Sequence, residues 1–141
     1  MKLSAAFLFS IIWLNSFSQN LQGTAWKIDK IIGQDLNNVS EFTLIRADTT
    51  IRFWDRGNTI SFYPDGSFKC VYKSKCGKDC FPSSKGRYMI SDSSSMTLFI
   101  EKFHQKGHCE KIERVIGKTI GTYTITRKEG ETILLIKKAN P

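Results

Sequence analysis

Apolar and polar residues alternate with a period of two through much of this chain. In "NTISFYPDGSFKCVY" (residues 58–72), Ile60 and Phe62 share one face of a first arm, and Phe68, Cys70 and Tyr72 one face of a second. Such alternation puts every second side chain on the same side of a strand. Pro64-Asp65-Gly66 separates the arms: Pro fixes its own φ and Gly tolerates a positive one, so the stretch predicts a hairpin. "GTAWKIDKI" (23–31) predicts a first strand with Trp26, Ile28 and Ile31 on the packed side, and residues 33–40 a polar loop. "FTLIRA" (42–47) and "TIRFW" (50–54) predict two shorter strands. "HCEKIERVIGKTI" (108–120) predicts another, bent at Gly117.

An internal repeat extends the pattern. "GRYMISDSSSMTLFIEK" (86–102) parallels "GTYTITRKEGETILLIKK" (121–138), matching Tyr88 with Tyr123, Ile90 with Ile125, Leu98 with Leu134 and Ile100 with Ile136. Each copy predicts a hairpin with Tyr and Ile pointing inward, turning near Ser93 and Gly130 respectively. An antiparallel meander this long must hide its edges, and closure into a barrel does so. The expected fold is therefore all-β, a meander closing into a small lipocalin-like barrel of about eight strands, which either fills with side chains or holds one small ligand.

The first residues change the picture of where the protein works. Lys2 precedes an apolar run from Leu3 to Leu14, and Ser16 and Ser18 stand at −3 and −1 of a cut before Gln19. That is the layout of a secretory signal peptide, and the run is too short for a membrane span, which needs roughly 20 apolar residues. The expected organisation is a signal peptide over 1–18 and a single domain over 19–141, in a periplasmic or secreted setting. The formal charge is +8, and losing Lys2 lowers it by one. Such a charge suits nucleic acid, but export excludes that partner and points to anionic lipid or an acidic protein surface.

Three segments resemble small bacterial secreted lipocalin-like domains, with the META-domain group as the second match. "LQGTAWKI" (21–28) is similar to their opening segment, "ISFYPDGSFK" (60–69) to their Asp-Gly hairpin, and "GRYMI" and "GTYTI" to their strand starts. The chain departs from the lipocalin signature in the two residues separating Gly23 and Trp26. The resemblance implies a structural role for both: Gly23 starts the strand and Trp26 packs the barrel floor.

The four cysteines admit a staple, a metal clip or a redox centre. Cys76 and Cys80 are separated by three residues, as are His104 and His108, and both spacings fit zinc ligand pairs. An even cysteine count in an exported chain favours disulfides, and the three-residue spacing is not that of a thioredoxin-type centre. Topology places the 74–85 loop and the 104–108 turn at one barrel end. The expectation is a bridge from Cys109 to Cys76 or Cys80, with Cys70 pairing the remaining one, and no metal. No catalytic set assembles: no Ser lies in a nucleophile elbow, and Asp29, Asp55, Asp65, Asp92 and Glu101 are scattered. Lys69, Lys73, Lys75, Lys78, Lys85 and Arg87 stand against Asp79 alone over residues 69–87, with Lys106 and Lys111 expected at the same end.

The sequence thus predicts an exported, non-enzymatic binding protein that needs no cofactor. One reading places a small apolar ligand inside the barrel, lined by Trp26, Phe62, Phe68, Tyr88, Ile90, Leu98 and Tyr123. The alternative is a structural or envelope-stress protein with a packed core, acting through the basic patch on a protein or anionic lipid partner.

Overall fold

The computed structural model describes residues 21–46, 56–92 and 94–139, which form eight strands and no helix. The leader, the strand expected at 50–54 and Ser93 lie outside the described residues. The strands are β1 (Thr24–Ile28), β2 (Glu41–Arg46), β3 (Gly57–Phe62), β4 (Ser67–Lys73), β5 (Cys80–Asp92), β6 (Ser95–Gly107), β7 (Ile112–Lys128) and β8 (Thr132–Lys137). Every neighbouring pair is antiparallel, and the sheet closes into a barrel in the order β1-β2-β8-β7-β6-β5-β4-β3. The meander is continuous from β3 to β8. At the seam β1 is inserted between β2 and β3, so β2 closes the ring against β8.

Alternation decides which side chains enter. Ile60 and Phe62 on β3, Phe68 and Cys70 on β4, Leu98 and Ile100 on β6, and Ile133 and Leu135 on β8 are all buried. The second half of the repeat differs by one residue from the expected match. Ile133 and Leu135 point inward, whereas Ile136 is exposed. The two hairpins pair differently: Ile90 faces Met96 across the first, and Ile125 faces Leu135 across the second. A longer turn changes which partners meet, and a slip of one residue reverses every side chain. The inward placement of the tyrosines holds in both hairpins. The Tyr88 hydroxyl donates to the Tyr63 carbonyl at 2.7 Å, and the Tyr123 hydroxyl to the Val39 carbonyl at 2.7 Å.

Gly86, which opens the first copy of the repeat, is required by close approach. A Cβ there would collide with the Phe99 carbonyl and crowd Phe68. Its register with β6 shifts at this point: Lys85 faces Lys102 but Gly86 faces Ile100, leaving Glu101 as an extra residue. This β-bulge reverses the alternation of β6. Upstream, Leu98 and Ile100 point in; downstream, Phe103 points in and Lys102 is exposed.

One barrel end is closed by the connection between β1 and β2. Ile31, Ile32 and Val39 are buried there, and Arg114 on β7 donates to the Gln34 carbonyl at 3.2 Å. The connection expected to be a polar loop is therefore polar at Gln34, Asp35, Asn37 and Asn38, but is anchored by the apolar residues on either side.

Candidate functional site

Three places could carry function: the barrel interior, the cysteine-bearing end and the outer wall. Within the barrel, alternation brings Trp26, Phe62, Phe68, Tyr88, Leu98 and Tyr123 into one buried cluster, with Ile90 half-buried against it. Phe62 and Tyr88 meet edge to face, their centroids 5.0 Å apart, and Phe42 lies 5.7 Å from Tyr123. Trp26 keeps 1% of its surface exposed, and Leu98 and Tyr123 keep none. A cavity wide enough for a water molecule would leave accessible surface on its lining, so these three side chains border no such space. Trp26 donates its indole N–H to the Thr24 hydroxyl at 2.7 Å, which ties its polar atom to its own strand.

Burial sets the chemistry of the interior. It pushes the Cys70 thiol up to about 12, and raises Tyr123 and Tyr88 above the ordinary tyrosine range. The desolvated anion is the costly form in each case. Cys70 is therefore a protonated core residue, and its strand partner Ser84 is buried beside it.

At the barrel end where β5 begins, Cys80 and Cys109 form a disulfide with their Cα atoms 5.6 Å apart. The expected bridge to Cys109 thus exists, from Cys80. The second expected bridge does not: Cys70 and Cys76 are free thiols. Cys70 points into the core from β4, whereas Cys76 is exposed in the 74–79 loop. The bridge also consumes Cys80, one of four ligands that a clip with Cys76, His104 and His108 would need. Among the described residues no three His, Cys, Asp or Glu side chains come together as a metal site.

Asp79 organises this end. Its carboxylate accepts from the Tyr72 hydroxyl at 3.0 Å and pairs with Arg56 at 3.6 Å, and Arg56 donates to the Tyr72 hydroxyl at 2.7 Å. Hydrogen bonds from Ser74 and Tyr72, and then the Arg56 charge, hold the Asp79 carboxyl below the ordinary carboxylate range. Its carbonyl accepts from the backbone of His108 at 3.3 Å, joining the loop to the β6–β7 turn that carries Cys109. Asp65 and Asp92 are likewise held low, each by hydrogen bonds from a serine two residues on.

The basic residues divide between two places. Lys75 and Lys78 in the loop, Lys106 on β6 and Lys111 before β7 are exposed at the disulfide end, where Lys73 is half-buried. Lys69, Lys85 and Arg87 stand instead on the outer wall of β4 and β5. There the structure adds a residue absent from the sequence-derived patch. Lys69 is the cross-strand partner of Lys85, and Lys85 of Lys102, so three lysines form one row across β4, β5 and β6. Strict alternation from Leu98 and Ile100 would have sent Lys102 inward; the bulge at Glu101 sends it out. The signal in the sequence was Phe103, which competes for the inward position.

No protein-family model, curated protein or solved structure matches the chain. Its class is therefore defined by its architecture: a closed, eight-stranded antiparallel β-barrel of lipocalin-like form.

Proposed function

We propose that this chain is an exported, non-enzymatic protein whose barrel is a packed scaffold and whose function lies on its outer surface. The observation that supports this reading is the closed packing around Trp26, Leu98 and Tyr123. An apolar ligand would have to displace these side chains, in an interior packed as densely as an organic crystal. Export is supported by the leader pattern and by the Cys80–Cys109 bridge, since disulfides persist in oxidising compartments. A non-enzymatic role is supported by the state of the perturbed groups. Cys70 is enclosed and protonated, while Asp65, Asp79 and Asp92 are held ionised by their own turns and loops.

The competing reading keeps a small apolar ligand among the seven inward residues. Titration of the purified protein with a fluorescent fatty-acid probe separates the two. The surface reading expects no saturable binding and no change in tryptophan emission. Stoichiometric binding that quenches tryptophan, and that Leu98→Trp abolishes by filling the same space, would overturn it.

A further inference from the structure

The row Lys69–Lys85–Lys102 is unusual on physical grounds. Neighbouring strands lie about 4.8 Å apart, so the three lysines leave the wall within roughly 10 Å of one another. Like charges directly opposite across strands destabilise a sheet. Among the described residues none of the three has a side-chain hydrogen bond or ion pair to offset this. Two acids among the described residues stand on this wall: Glu101 is held by Arg87 at 3.2 Å, with Arg87 over the Phe99 ring at 5.8 Å, and Glu113 lies two residues from Val115 on β7, opposite His104. Glu101 is thereby engaged beside the row, and the lysine charges are left facing outward.

The row does not end in polar surface. Val115 on β7 is the cross-strand partner of Lys102 and is 77% exposed. Met89, four residues beyond Lys85 on the same outer face of β5, is 63% exposed. Cations flanked by exposed apolar side chains match the chemistry of a lipid surface: ammonium groups meet anionic headgroups, and apolar groups enter the boundary of the acyl chains. A soluble polyanion would use the cations and leave Val115 and Met89 in water.

We propose that the outer wall of β4–β7 is a docking face for an anionic lipid bilayer, with Lys69, Lys85 and Lys102 as its electrostatic contacts and Val115 and Met89 as its apolar ones. The proposal rests on the surface reading above and names its partner. Each lysine near an anionic membrane contributes about 1 kcal/mol, equivalent to roughly fivefold in binding.

Cosedimentation of the processed chain, residues 19–141 with the apolar leader removed, with phosphatidylglycerol–phosphatidylcholine vesicles, and with phosphatidylcholine vesicles alone, tests it. The expected result is binding to the anionic vesicles only, lost in about 1 M salt, where screening acts over about 3 Å. Replacing the row (K69Q/K85Q/K102Q) should weaken binding about 100-fold. The variant K27Q/K30Q/K128Q, which removes the same charge elsewhere, should weaken it far less. K69R/K85R/K102R, which keeps the charge, should bind like the parent and guards against a loss caused by misfolding. Val115→Asn should weaken binding further in the row variant's background.

Equal losses in the row and control variants would reduce the effect to net charge and overturn the proposal. So would unchanged binding by the row variant, or no binding by the parent. Capture of heparin without capture of vesicles would also overturn it and give the row to a soluble polyanion. In each of these cases the surface reading survives, whereas a stoichiometric interior ligand would overturn that reading itself.

Discussion

Cys70 shows how a single residue's role follows from the direction in which it points. It stands on β4 between Phe68 and Tyr72 of the same alternating set, and is fully buried. Burial raises its thiol from 9.0 to about 12. The folded chain therefore holds this proton more tightly than the unfolded chain does. The resulting stability is complete below pH 9, declines as pH rises from 9, and is gone above 12. From about pH 8 to pH 10 the expected loss from this group is about 1.4 kcal/mol, one pKa unit's worth. Urea unfolding at the two pH values measures it, in a background with Cys76, Cys80 and Cys109 all replaced by Ser, so that no disulfide remains for the unfolded Cys70 thiolate to attack. Cys70→Ala should remove that part of the pH dependence; the buried tyrosines add their own from about pH 10 upward. An unaltered pH dependence in Cys70→Ala would show that the thiol does not titrate as its burial requires.

At the scale of elements, the Cys80–Cys109 bridge ties the first residue of β5 to the turn between β6 and β7. These strands already pair there, with Cys80 opposite Gly107. The bridge thus reinforces an existing contact, and its effect falls mainly on the unfolded chain. Closing a loop of 29 residues stabilises by about 3.5 kcal/mol in the chain-entropy account. Cys109→Ala should lower stability by about that amount and leave the barrel folded. Mass spectrometry gives an independent check: the unreduced protein should be lighter than the reduced form by two protons, with Cys76 alkylated in the folded state and Cys70 only after unfolding. A loss of four protons would restore a second bridge. The expectation of two bridges treated cysteine count as the deciding feature. What decided against the second is that Cys70 and Cys76 are separated by the barrel wall, one facing in from β4 and the other exposed in the following loop.

At the scale of the molecule, the question is whether the barrel is a container or a solid. Leu98 is fully enclosed. Leu98→Ala should cost about 2–5 kcal/mol, the range for creating a cavity in a packed core. The variant should also acquire affinity for a small apolar probe such as benzene, and the parent should show none. Thermal unfolding with and without benzene measures both effects. A cost below about 1 kcal/mol, with the parent already stabilised by benzene, would mean that the interior is open.

The sequence determined the class of fold and most of the barrel's contents. Period-two alternation over residues 58–72 and the two Gly-x-Tyr-x-Ile segments assigned Phe62, Phe68, Tyr88 and Tyr123 to the interior, because a strand's geometry leaves no choice once its register is known. It also placed Cys109 at the end reached by the segment after β4, since antiparallel strands return their ends to the same side. The loop expected over 74–85 is only 74–79, because residues 80–85 pair with β6 and extend β5 back to Cys80. Tertiary structure decided what depends on register across strands. The insertion of β1 between β2 and β3 is set by pairing, and neither segment encodes its neighbour. The displacement of the second repeat by one residue followed from the turn at Gly130. The lysine row appeared because the bulge at Glu101 reverses β6 midway. The bulge coincides with the close approach of Gly86 to the Phe99 carbonyl, a contact between two strands that no single stretch of the chain contains.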